Sequence, residues 1–259
     1  LTTTTFPDGR TETATYDAEG RRLTSTDRGG RTTSYAYDAL GRLTKTISPD
    51  GAVTTSAYDG AGKLVASTDA RGSTTAHAYD AAGRQTQVTD PLGNATTFAY
   101  DAAGNRTSLT DPKGQATQYD YDLGGRLTRT ILPDGTERSS TYDALGRRTA
   151  ETDQAGLTTR FEYDALGRLV TVTDAAGGET TYGYDEAGNR VTQTDAEGRA
   201  TRFGYDALGR EVARTLPDGS ADAKTYDVAG NQLTRTDFAG RTTTYAYDEG
   251  NRLLSRSYP

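Results

Sequence analysis

The dipeptide Tyr-Asp returns every 21 residues along this 259-residue chain, at Tyr16, Tyr37, Tyr58, Tyr79, Tyr100, Tyr121, Tyr142, Tyr163, Tyr184, Tyr205, Tyr226 and Tyr247, with no insertion between any two. A second series with the same step runs from Gly9, Gly30 and Gly51 to Gly219 and Gly240. So strict a period points away from an ordinary single-core domain and toward a tandem array, in which one small unit is stacked against copies of itself. Composition agrees. Only 33% of the chain is hydrophobic, and Met, Trp and Cys are absent. A chain this polar is either disordered or held by repeated short-range pairing, and the period selects the second.

Each period carries two turn signals. One is Tyr-Asp-x-x-Gly, as in Tyr163-Asp164-Ala165-Leu166-Gly167; the other is Thr-Asp-x-x-Gly, as in Thr152-Asp153-Gln154-Ala155-Gly156. Asp suits the first position of a type I turn because its carboxylate accepts backbone N–H groups, and Gly three places on tolerates positive φ. All seven prolines, Pro7, Pro49, Pro91, Pro112, Pro133, Pro217 and Pro259, share one repeat position, the second residue of the turn, where a φ near −65° fits. Tyr247-Asp248-Glu249-Gly250-Asn251 brings its Gly one place early, leaving Asn251 in the usual Gly slot, which Asn can fill. Pro-Asp-Gly replaces the Thr-Asp turn at Asp8, Asp50, Asp134 and Asp218. The last three step by four repeats and suggest a super-period; Asp8 lies outside that spacing.

Between turns lie roughly six or seven residues, a strand length, rich in the Thr, Tyr and Val that favour strands. In Thr158-Thr159-Arg160-Phe161-Glu162-Tyr163 the alternation puts Thr159, Phe161 and Tyr163 on one face and Arg160 and Glu162 on the other. The slot two before Tyr holds Tyr35, Phe98, Tyr119, Tyr182, Phe203 and Tyr245 elsewhere. After the first turn an apolar residue falls at Leu43, Leu64, Leu127, Leu169 and Leu253, or one place later at Leu23, Val191, Val212 and Leu233. Each repeat is therefore one β-hairpin. No stretch has helical spacing of apolar residues. The expected fold is all-β: tandem 21-residue hairpins in one array of twelve repeats over residues 1–259, forming a spiralling, curled antiparallel β-sheet, either shell or solenoid. Two dozen strands at about 4.8 Å each would span on the order of 115 Å, and sheets that wide twist and curl. The tyrosines should stack as a ladder whose burial compensates for the scarce aliphatics. Both ends of the sequence fall inside a repeat, so it reads as a window from a longer array with open strand edges that invite pairing with neighbouring copies.

Tyr142-Asp143-Ala144-Leu145-Gly146-Arg147 and Tyr37-Asp38-Ala39-Leu40-Gly41-Arg42-Leu43 resemble the YD-repeat family, also called Rhs repeats, and the resemblance covers essentially the whole chain. Its members include bacterial Rhs polymorphic toxins, wall-associated proteins, insecticidal toxin complexes and teneurins. The resemblance implies a β-sheet that spirals into a hollow shell, which in the bacterial toxins encloses a C-terminal toxic domain. The partner it implies is the protein's own toxin or polypeptide cargo, enclosed by the full-length chain, and the location is secreted or at the cell surface of a bacterium. The alternative is an extracellular adhesive or filament-forming module that binds glycans or cell-surface proteins. The Asp-Pro-x-Gly-Leu autocleavage region of the family has no counterpart: Asp90-Pro91-Leu92-Gly93 and Asp111-Pro112-Lys113-Gly114 occupy ordinary turn slots.

No residue set points to catalysis, a cofactor or a metal. His77, the one histidine, sits in the aromatic slot two before Tyr79. The turn aspartates recur in every repeat, whereas an acid–base pair should be singular. Their spacing matches neither an EF-hand nor a nonapeptide calcium repeat. The basic residue after the first turn, at Arg21, Arg42, Lys63, Arg84, Arg126, Arg147, Arg168, Arg210 and Arg252, is expected to pair with Asp or cover a Tyr face, with recognition of an anionic glycan as the other use. A net charge of −7 with Arg interleaved among Asp opposes nucleic-acid binding, and no apolar run approaches the roughly 20 residues of a membrane span.

Overall fold

A computed structural model describes residues 1–259. It contains twenty-five β-strands and no helix, hence no helix long and apolar enough to cross a membrane. Numbered in chain order, the first strand is β1 (Thr2–Thr5). The even strands, from β2 (Thr11–Tyr16) to β24 (Thr242–Tyr247), have six residues and end on the twelve repeat tyrosines; the odd strands, from β3 (Arg22–Thr26) to β25 (Leu253–Ser257), have five. Two compact units divide the chain, Leu1–Gly135 with β1 to β13 and Thr136–Pro259 with β14 to β25. Within each, every strand but the first and last pairs antiparallel with the one before and the one after, a plain meander of hairpins.

The turns take the shape their sequences predict. Asp164 N–H donates to the Arg168 carbonyl at 2.9 Å, and Gly167 N–H donates to the Asp164 carbonyl at 3.0 Å. Gly167 has φ +82°, so the turn is a type I turn closed by a left-handed residue, a bulge that suits hairpin twist. The same glycine position is left-handed throughout, and Asn251, at φ 61°, is the one non-glycine residue with positive φ.

A second bulge was not foreseen. Tyr37 pairs with Leu43 but Ala36 pairs with Lys45, which leaves Thr44 extra. The same slip occurs just before the tyrosine in the other Tyr-turn hairpins. Two residues then oppose one tyrosine. This explains why the apolar residue after the turn wanders between two adjacent positions: either one flanks the ring. The Thr44 hydroxyl donates to the Ala36 carbonyl at 3.1 Å and steadies the slip.

Burial departs from expectation. The repeat tyrosines are half-buried, or just exposed at Tyr16, and not one side chain in the chain is fully enclosed. Only Ala14, at 8% exposure, and Asp222, at 3%, count as buried. Within each unit a hairpin touches only its sequence neighbours, so a tyrosine ring gains cover from the next repeat on one side and meets solvent on the other. Cohesion therefore comes from strand pairing and from the contacts between successive repeats.

Candidate functional site

The feature repeated most faithfully is the junction at the Tyr-Asp turns. Asp164 Oδ1 accepts the backbone N–H groups of Leu166 and Arg168, each at 2.9 Å, while Oδ2 accepts Arg168 Nε at 2.7 Å. Arg168, so oriented, reaches the following repeat: Nη1 donates to the Asp185 carbonyl at 3.1 Å, and its guanidinium lies 4.7 Å from the centre of the Tyr184 ring. Tyr184 closes the circuit, its hydroxyl donating to the Leu169 carbonyl at 2.8 Å. One Asp, one Arg and the next Tyr thus tie two hairpins at the same edge. The arrangement recurs at Arg42 with Tyr58, Arg84 with Tyr100, and Arg210 with Tyr226.

These bonds hold the carboxylates of Asp38, Asp80, Asp164 and Asp206 below their ordinary range. For Asp80 and Asp206 the largest lowering cause is the backbone N–H of the Arg four places on, followed by that residue's guanidinium, with partial desolvation opposing both. For Asp101 and Asp185 the first cause is the side-chain amide of Asn105 or Asn189. Asn replaces Arg there and at Asn231, keeping the bond to the carboxylate (2.9 Å for Asn189 to Asp185) but not reaching the next ring. A carboxylate so occupied is a poor proton donor at neutral pH and a poor metal ligand.

The twelve repeat tyrosines fall into a few settings. Tyr37, Tyr58, Tyr79, Tyr100, Tyr163, Tyr184 and Tyr226 lie under a cation from the preceding turn. Tyr121 and Tyr205 keep the hydroxyl bond, at 3.1 Å, without that cation. Tyr16 is 37% exposed, Tyr142 faces Arg148 in register, and Tyr247 faces Leu253. His77 fills the aromatic slot, and Gln85 Nε2 lies 2.9 Å from its Nδ1.

Two regularities escaped sequence reasoning. The aromatic slot two before Tyr is empty in four repeats, at Ala14, Ser56, Ser140 and Lys224, and these are the four entered through a Pro-Asp-Gly turn. Both buried residues, Ala14 and Asp222, lie in these repeats, and an arginine sits over each repeat's opening strand. Arg28 bonds Glu12 at 3.1 Å and stacks on Phe6; Arg214 lies 3.5 Å from Asp222 and stacks on Phe238. The second regularity is a change late in the chain. The position paired with the aromatic slot holds Ser25, Thr46, Val88, Leu109 and Val172 in earlier repeats, then Arg214, Arg235 and Arg256 in the last three. Aligning the repeats by their turns would have exposed both.

Taken together, a 21-residue hairpin, an invariant turn and a repeat-to-repeat clamp define a tandem all-β repeat protein. The chain belongs to the RHS Repeat family, whose model matches residues 16–53, 58–95, 79–116, 100–137, 142–180, 163–199, 184–221 and 225–259. No curated protein matches it. Among solved structures it is similar to the TcdB2-TccC3-TEV crystal structure, at 18% identity and a TM-score of 0.47, with 96% of this chain covered and 19% of the other. It is also similar to the Photorhabdus luminescens Tc holotoxin pore carrying the TccC3-D651A mutation, at 15% identity and a TM-score of 0.45, covering 96% and 20%. The chain thus spans about a fifth of the length of these structures' chains.

Proposed function

We propose that this hairpin array is a stretch of wall in a larger β-shell that encloses a polypeptide cargo, a C-terminal toxin, in a secreted or surface-displayed bacterial protein, and that it performs no catalysis itself. The observation that carries the reading is the junction clamp. It ties each hairpin to the next through main-chain acceptors and an aromatic ring, so the sheet is extended by adding repeats and needs no central core. Stability in such an array accrues junction by junction, which is what a wall of arbitrary length requires. Membership of the RHS Repeat family supports the same reading. The turn carboxylates are committed to backbone N–H groups and guanidinium, leaving no pair poised for acid–base work.

The test is the form of the 259-residue chain in solution, by small-angle scattering with electron micrographs. The expected particle is a curved wall. A straight rod would sink the proposal and favour a stalk or filament.

A further inference from the structure

We propose that the last repeats carry a binding strip for a linear anionic polysaccharide, built on Arg214, Arg235 and Arg256. The three arginines occupy the same position in β21 (Glu211–Thr215), β23 (Gln232–Thr236) and β25, all within the second unit. Register puts them on one face with the aromatic slots: Phe203 pairs with Arg214, Lys224 with Arg235, and Tyr245 with Arg256. In the earlier repeats that position is small, apolar or uncharged apart from Glu151. The strand does not need these arginines, and their appearance in three successive repeats is a local charge feature.

The cations outnumber what their neighbours neutralise. Lys224 is matched by Glu211 at 2.9 Å, Arg241 by Asp237 at 2.8 Å, and Arg214 by Asp222 at 3.5 Å. Arg235 and Arg256 are exposed and have no carboxylate partner. Arg256 is braced between Tyr245 and Tyr258, with ring centres at 5.6 and 4.5 Å. A guanidinium held by its flat faces still offers its edge N–H groups, the geometry that grips a carboxylate. Arg235, Arg241, Arg256, Thr243, Tyr245 and Tyr258 line a cleft of about 410 Å³ on this face.

Spacing selects the ligand class. Equivalent residues of successive repeats are two strands apart, roughly 10 Å. An extended acidic peptide presents same-face carboxylates roughly every 6.6 Å, and one strand of a duplex nucleic acid carries a phosphate about every 3.4 Å. Both leave surplus anions between the arginines, where they meet no further cation of the strip and lie near Asp222 and Asp237. A polysaccharide with a single uronate per disaccharide spreads its charges farther apart, and its sugar rings and hydroxyls suit the Tyr and Thr side chains between the arginines.

The probe is fluorescently labelled unsulfated chondroitin octasaccharide, titrated with the whole 259-residue chain and followed by anisotropy. Saturable binding is expected that weakens as salt rises from about 50 to about 200 mM, with no binding of neutral dextran. R214Q/R235Q/R256Q should weaken binding roughly tenfold, because the strip loses its charge. The double variant R235Q/R256Q spares the contact with buried Asp222, so its folding is secure, and it should weaken binding several-fold. K113Q, in a turn of the first unit, should leave binding unchanged. Absence of binding by the wild-type chain, undiminished binding by the double variant, or equal affinity for a poly-glutamate peptide or a single-stranded oligonucleotide would each overturn the proposal.

Discussion

Removing the Arg168 side chain tests whether junction clamps hold the array together. Arg168 spans two hairpins: the ion pair to Asp164 lies in its own turn, while the bond to the Asp185 carbonyl and the stack on Tyr184 reach the next. Its side chain is 27% exposed. A hydrogen bond from a charged donor contributes about 1.5 kcal/mol at the low end appropriate to this exposure, and the ring contact about 0.5 kcal/mol. Arg168→Ala should therefore cost about 2 kcal/mol, almost all at the interface between β17 (Leu169–Thr173) and β18 (Glu179–Tyr184) and their neighbours. Tyr184→Phe removes only the hydroxyl bond to Leu169 and should cost about 1 kcal/mol. Because the ring stays under the guanidinium, the double variant should be additive within about 0.5 kcal/mol. Tyr184→Leu removes the ring, so combined with Arg168→Ala it should be less than additive by the stacking contribution. Urea unfolding by circular dichroism, fitted as a nearest-neighbour array because long repeats break two-state behaviour, gives the energies; hydrogen exchange at the β17 and β18 amides locates them. If Arg168→Ala lies within about 0.5 kcal/mol of wild type, or if its exchange increase is spread evenly along the chain, the clamp is incidental and strand pairing alone holds the repeats.

Three further outcomes follow from the same geometry. Gly167→Ala should destabilise by about 1–2 kcal/mol in thermal melts, because φ +82° forces a side chain into the left-handed region; a neutral result would mean the turn relaxes freely. Asn189→Arg should stabilise by about 0.5 kcal/mol by placing a cation over Tyr205, as Arg168 does over Tyr184, and a spectroscopic melt that moves downward would contradict the modular view of the junction. Turn carboxylates such as Asp80 and Asp206 have folded pKa values depressed from their ordinary 3.8, chiefly by backbone N–H and guanidinium bonds. Their contribution is therefore complete above that value and lost as pH falls through the lower folded values. An acid titration should show a loss of strand signal confined to below about pH 4. Stability unchanged to pH 2 would remove the aspartates from the account.

The period, the hairpins, the turn type and the family were legible because each is local. Asp and Gly three apart define a turn through bonds within five residues, and alternation in Thr158–Tyr163 defines two faces without reference to any other part of the chain. The pairing of the turn Arg with Asp was likewise within reach, since both belong to one turn. What tertiary structure decided lies between repeats. The bulge before each tyrosine belongs to the pairing across the Tyr-Asp turn and is absent from the pairing across the other turn, and no single-strand pattern announces it. Burial of the tyrosines falls short of what their spacing suggests because ring burial depends on a second layer. Each unit supplies only the next hairpin as cover, so the rings remain half in solvent. The reach of Arg168 to the Asp185 carbonyl and the Tyr184 ring depends on how one hairpin sits on the next. Local backbone chemistry sets the unit, but the forces that join units act across strands, where distance along the sequence no longer measures distance in space.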